Sequence, residues 1–165
     1  MTSTMRFDRL QNTLGANVAT MTTAGYMNLP NKPIISGQIG TTGTFSAAQN
    51  IPFDDFWVQQ GITYSAATRR FTVPVAGIYR ITMNPFKLET AGGTRVMIGI
   101  NTDTPSANTH KGMCYANNGA VYQTMNINSV VSLNAGDFIA FRLHEGSLYN
   151  ATSDRFNQFS IEMIA

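Results

Sequence analysis

The residues able to do chemistry in this chain are few and scattered. His110 and His144 are its two histidines, and Cys114 is its single cysteine. A metal centre needs several His, Cys or carboxylate ligands converging on one point. Neither histidine has such a partner at ligand spacing. His144 and Glu145 are neighbours, so on a strand they point to opposite faces. His110 and Cys114 are the one Cys–His pair close in sequence. Cys114 stands between Met113 and Tyr115 in a strand-like run, where cysteine behaves as a small buried apolar group. No serine sits in a Gly-x-Ser-x-Gly context, and Gly92–Gly93 lacks the Gly-Lys-Ser/Thr ending of a phosphate loop. Asp54–Asp55 is the one adjacent acidic pair, and calcium takes about six to eight oxygens, so two carboxylates make a thin site. These gaps argue against an enzyme, and no metal or cofactor is expected.

Composition points to binding instead. The 165 residues are 43% hydrophobic and only 12% charged, with a formal net charge of +2. That charge is too small to argue for nucleic acid. The Arg69–Arg70 doublet precedes Phe71, where a solvated turn is expected. The polar remainder is largely Thr, Asn, Gln and Ser, which suits extended structure and broad contacts. One cysteine permits no intrachain disulfide. The opening MTSTMRFDRLQ lacks the apolar core of a secretory signal. No run of about 18 apolar residues occurs, so no membrane insertion is expected. The expected route is assembly in a host cytoplasm.

Those few groups must be positioned by β structure. From Ile34 onward, short alternating runs recur with turn signals between them, the mark of a sandwich or barrel. Strands are expected at 34–39, 44–45, 63–64, 70–73, 77–88, 95–100, 112–116, 121–133, 138–144 and 155–164. Turns are expected at 40–43, 92–93, 102–109, 134–136 and 145–154, with Asn118–Gly119 as a hairpin signal. The loops 101–108 and 146–153 are small and polar, natural places for outward recognition. Residues 1–33 read as a separate arm of irregular and strand-like structure, with a helix over Met5–Leu14 as an alternative. The arm carries Met5, Phe7, Leu10, Leu14, Val18, Tyr26 and Leu29, too few apolar groups to close a core alone. The expected class is therefore all-β: a ten-stranded, two-sheet jelly roll over 34–165 behind a 1–33 attachment segment.

One spaced pattern is more specific. Phe53, Tyr64, Phe71, Gly77 and Tyr79 follow in the order and at the intervals of the globular head of complement component one-q, a family that shares its jelly roll with the tumour-necrosis-factor ligands. Leu133, Gly136 and Asp137 match that family's Leu-x-x-Gly-Asp turn. Phe156–Asn157–Gln158–Phe159 resembles its closing Phe-x-Gly-Phe strand, with Gln158 in place of Gly. Gln59 replaces an Asn or Asp, and Ile81 and Met83 stand where aromatics are usual. The resemblance implies a homotrimer, with Phe53, Tyr64, Phe71, Gly77, Tyr79, Gly136, Asp137, Phe156 and Phe159 as fold signature and trimer core. It also implies binding rather than catalysis.

The lead Gln11–Asn12–Thr13–Leu14–Gly15, the run Thr20–Thr23, Gly25 and Pro30–Asn31–Lys32–Pro33 is similar to short phage fibre and capsid-decoration proteins. This narrower likeness implies a virion location, with the major capsid protein as partner and the arm as anchor through Met5, Phe7, Leu10, Leu14, Tyr26 and Leu29. The competing expectation is a receptor-binding knob or short fibre that grips a host surface glycan. A complement-like bacterial adhesive module is a third reading.

Overall fold

The computed structural model describes residues 32–88, 93–117, 122–151 and 153–165, together with the strand backbones at 9–11, 17–21 and 27–28. It divides into two compact units, Met1–Lys32 and Pro33–Ala165. In the first unit, β1 (Arg9–Gln11), β2 (Asn17–Met21) and β3 (Met27–Asn28) form an antiparallel sheet in that order. Leu10 pairs with Ala19, and Met21 with Met27. Arg9–Gln11 is thus strand, not part of a helix over Met5–Leu14, because β2 supplies a cross-strand backbone partner. Met5, Phe7, Leu14, Tyr26 and Leu29 lie outside the described residues, as does the Asn118–Gly119 turn.

The second unit begins with β4 (Ile34–Gln38), β5 (Gly43–Ser46), β6 (Gln49–Asn50), β7 (Asp55–Gln60), β8 (Thr63–Ser65) and β9 (Arg70–Thr72). It continues with β10 (Gly77–Asn84), β11 (Phe86–Leu88), β12 (Thr94–Ile100), β13 (Gly112–Ala116), β14 (Tyr122–Thr124) and β15 (Ile127–Leu133). It closes with β16 (Phe138–Glu145), β17 (Ser147–Asn150) and β18 (Gln158–Met163). One sheet runs β15-β10-β18-β4-β7 and the other β13-β12-β16-β9-β8, with β6 added against β16. Five strands on each path make the ten-stranded jelly roll. Two short ribbons, β11-β14 and β17-β5, complete it. Among the described residues no helix occurs.

The pleat explains the core. On β10, Tyr79, Ile81 and Met83 are wholly buried while Ile78 and Arg80 are exposed. On β18 the buried set is Phe159 and Ile161. Cross-strand pairing places Met83 opposite Phe159 and Ile81 opposite Ile161, on the face turned to the second sheet. That sheet answers with Phe71, Val96, Ile98, Ile139, Phe141 and Leu143. Each large side chain so buried stabilises the fold by about 1.5–3 kcal/mol relative to exposure.

Two expected strands are interrupted and a third begins late, each for a local reason. The run 77–88 breaks at Pro85, which has no N–H for the ladder. The Pro85 carbonyl instead accepts from the Met125 N–H at 2.8 Å, inside the break between β14 and β15. Both runs therefore bend at the same level, and β11-β14 peels off as a ribbon. The run 155–164 becomes strand only at Gln158, because Arg155 and Asn157 adopt left-handed backbone, φ 51° and 56°. One expectation fails outright, and one strand was not anticipated. Ser147–Asn150 is strand rather than exposed loop, with Leu148 and Asn150 wholly buried, and Asp55–Gln60 is a strand for which no expectation stood.

Candidate functional site

The aromatic signature belongs to the interior of one protomer. Phe53 meets Phe159 at 4.4 Å between ring centroids, Phe71 at 5.6 Å and Phe141 at 5.6 Å. Tyr64 closes on Phe71 at 4.7 Å and accepts the Phe53 N–H at 3.0 Å. Burial pushes the Tyr64 phenol above its ordinary pKa, and that hydrogen bond partly offsets it. Tyr79 donates to the Val75 carbonyl at 2.8 Å, and burial raises its pKa too. Such phenols are structural, since a buried hydroxyl needs its partner and gains no reactivity from a raised pKa. Phe156 stands apart from this cluster: it stacks on Phe86 at 3.9 Å with planes 8° apart.

Gly136 and Asp137 build a turn, not a binding site. Gly136 sits at φ 87°, which favours glycine, and its N–H reaches the Val73 carbonyl at 2.9 Å. The Asp137 carboxylate accepts from the Asn101 amide at 2.8 Å and the Asn134 N–H at 2.7 Å, and these bonds hold its pKa below the usual range. Gly77 is needed for space: a β-carbon there would stand 2.7 Å from both the Ala165 carbonyl oxygen and Met163 Cε.

Asp54, Asp55, Arg69, Arg70 and Asp103 are likewise occupied in holding loops. Asp54 accepts from the Gly40 N–H and the Thr41 hydroxyl, and Asp55 from the Gln38 amide at 2.8 Å. The acidic pair thus ties β4 to the segment entering β7. Among the described residues no three His, Cys, Asp or Glu side chains converge. Arg69 and Arg70 are held rather than loosely solvated. Arg69 donates to the Gln49 side chain and the Asn50 carbonyl, each at 2.7 Å. Arg70 lies 4.1 Å above the Phe138 ring and pairs with Asp103. Asn50 adds a 2.7 Å bond to Asp103, so the 101–111 loop is pinned at its base. The Arg70 hydrogen bond is the main cause of the lowered Asp103 pKa. Cys114 is buried, and desolvation pushes its thiol up to about 12, leaving it unreactive.

What the sequence did not reveal is a face. Register places Ile78 beside Ser132, Arg80 between Val130 and Glu162, and Ser160 beside Ser36 and Thr82. These side chains all point away from the core. β7 extends the face through Val58, which pairs with Ser36, and Trp57, which lies at the irregularity between Ser36 and Gly37. Trp57 is 45% and Val130 56% exposed, and Ile78 and Val58 are exposed as well. Arg80 and Glu162 form a charged pair on this face, at 3.2 Å. A broad, nearly uncharged face with a tryptophan on it has the composition of an interface core.

The C1q domain profile matches residues 37–161. The chain belongs to the C1q domain family. Among solved structures, Eiger TNF from S. frugiperda is similar at a TM-score of 0.64 with 12% identity, over 82% of this chain and 94% of that one. The globular domain of zebrafish complement 1qA is similar at 0.58 with 15% identity, over 81% and 98%. These likenesses establish the jelly roll. No curated protein sequence matches the chain. C1q and TNF domains typically form homotrimers and are typically non-enzymatic. In this C1q domain most of the signature residues pack inside the protomer, while the outward face of β15-β10-β18-β4-β7 exposes Trp57, Val58, Ile78 and Val130.

Proposed function

We propose that this protein is a homotrimeric virion structural protein, a phage capsid decoration (cement) protein anchored to the major capsid protein by residues 1–33. The observation that carries the reading is the outward sheet face. Trp57, Val58, Ile78 and Val130 are exposed there, with serines between them and Arg80 and Glu162 paired on the same face. Three copies placing this face toward a common axis would bury it by a closed head-to-tail ring. A trimer suits the local three-fold positions of an icosahedral shell. The separate Met1–Lys32 unit is too small to be a stable domain by itself and would gain a surface to pack on by docking. The low charge fits a part that binds broadly and catalyses nothing.

The test has two stages. Native mass spectrometry at micromolar concentration should give a trimer, and a stable monomer would overturn the proposal at its base. Quantification in purified virions should then give hundreds of copies per particle. A few dozen or fewer would favour the alternative, a receptor-binding knob recognising host surface glycan. One feature supports that alternative: the exposed 101–111 loop is held at its base by Asp103 and so is preorganised for contact.

A further inference from the structure

A second group of aromatic side chains, apart from the core cluster, gathers beside the β11-β14 ribbon. Phe86 pairs with Thr124, and Tyr122 lies two residues along the same face. Phe156 lies flat on Phe86. Tyr122 stacks on Phe86 at 6.0 Å and 28°, and Tyr149 meets Phe156 at 6.3 Å. Yet Tyr122 is 69% exposed, the most exposed large apolar side chain described. Beside this stack lies a groove of about 230 Å³, lined by Asn84, Thr124, Arg155, Gln158 and the two phenylalanines.

The polar groups of the groove are held but incompletely used. The Asn84 oxygen accepts from the Asn126 amide at 2.7 Å, so its NH₂ retains donor capacity. Gln158 donates its Nε2 to the Arg155 carbonyl at 2.9 Å, which leaves its side-chain oxygen as an acceptor. Arg155 forms no ion pair among the described residues. The frame is rigid. Asn157 is buried, accepts the Phe86 N–H at 2.8 Å, and donates to the Tyr149 carbonyl at 2.8 Å.

We propose that this groove is a saccharide subsite for a pyranose carrying an acidic substituent. The apolar face of such a ring presents polarised C–H groups, which pack on the negative face of an aromatic side chain. Its hydroxyls can both donate and accept, which matches an amide donor, an amide acceptor and a threonine hydroxyl. A carboxylate would pair with the Arg155 guanidinium. The volume suits one sugar ring, since sites that enclose drug-sized ligands run to about 300–1,000 Å³. A bare phosphate would use Arg155 and leave the stacked aromatics without a role. The inference does not depend on the capsid reading, because saccharide binding and particle binding are measured separately.

The test uses the full-length assembled protein, with saturation-transfer NMR and titration against the methyl glycosides of glucose, glucuronic acid and N-acetylneuraminic acid. At least one acidic glycoside should bind, more tightly than the glucoside, with transfer from aromatic protons. Tyr122→Ala and Arg155→Gln should each weaken it about tenfold or more, equivalent to about 1.4 kcal/mol, with the oligomer unchanged by native mass spectrometry. Failure of both acidic glycosides to bind overturns the proposal. Wild-type affinity in both variants does so too. Dissociation of the assembly by Tyr122→Ala would identify the aromatic set as a subunit contact and overturn it as well.

Discussion

Replacing Gly77 by valine should destabilise the head, although valine is the better strand residue. In a strand, glycine is ordinarily the weaker choice, by about 0.5–1 kcal/mol against alanine, and β propensities span about 1 kcal/mol. If Gly77 had no packing reason, the change would stabilise. Its geometry reverses the sign. The new β-carbon would stand 2.7 Å from the Ala165 carbonyl oxygen. That oxygen accepts the Ile78 N–H at 2.7 Å, and Ile164 donates to the Ile78 carbonyl at 2.7 Å. The end of the chain after β18 is therefore held where the β-carbon must go. Met163 Cε, also at 2.7 Å, can swing aside only by disturbing its packing on the core. Overpacking costs about 1–3 kcal/mol, and each strained hydrogen bond about 1 kcal/mol. The sum is about 2–5 kcal/mol, or roughly 6–20 °C in Tm for a unit of this size. Far-UV circular dichroism at fixed protein concentration measures it, because the Tm of an assembling protein depends on concentration. A Tm equal to or above the parent's would refute the steric argument.

Four further outcomes are expected. The Asp103 pKa is lowered chiefly by Arg70 and then by Asn50, so its contribution is present above the ordinary value of 3.8 and is lost as pH falls through the depressed one. Asp103→Asn should therefore remove part of the acid-side slope of Tm against pH below about 4; an unchanged slope would show that the network does not stabilise the fold. Cys114, with its thiol pushed up to about 12, should resist a thiol reagent in the native protein and react once unfolded; rapid native labelling would contradict its burial. Val130→Arg should leave each protomer folded but convert the proposed trimer to monomer, read by light scattering, and an intact trimer would move the interface elsewhere. A chain starting at Pro33 should fold and trimerise yet fail to co-sediment with particles lacking the protein; attachment equal to the full chain would place the capsid contact on the jelly roll.

What could be read in advance follows from where the period-2 pattern is clean. Tyr79, Ile81 and Met83 alternate with Ile78, Arg80 and Thr82, so β10 and its buried face are visible in the letters alone. β7 is not. The register irregularity opposite Ser36 and Gly37 leaves Trp57 and Val58 both exposed in succession, which erases the alternation. β17 was hidden by its polarity. Ser147 and Asn150 look like turn residues, but Asn150 is buried because its amide donates to the Ile39 and Thr41 carbonyls at 2.8 and 2.9 Å. The outward face escaped notice for a different reason. Its members come from five strands separated in sequence, and only cross-strand pairing brings Val130, Arg80 and Glu162 into one row.

The closing Phe156–Asn157–Gln158–Phe159 shows how a departure from a pattern can be informative. Where the family pattern has a glycine, this chain has Gln158, and the left-handed residue is its neighbour Asn157, φ 56°. Asparagine is among the few non-glycine residues that enter that region readily. Here its side chain also fixes the Phe86 N–H and the Tyr149 carbonyl. The turn is thereby held with no glycine at position 158, and the Gln158 side chain lines the groove. Phe159 enters the core while Phe156 turns out to stack on Phe86. The two phenylalanines of one short motif thus serve opposite sides of the sheet. One holds the jelly roll together, and the other helps form the surface on which a sugar ring would rest.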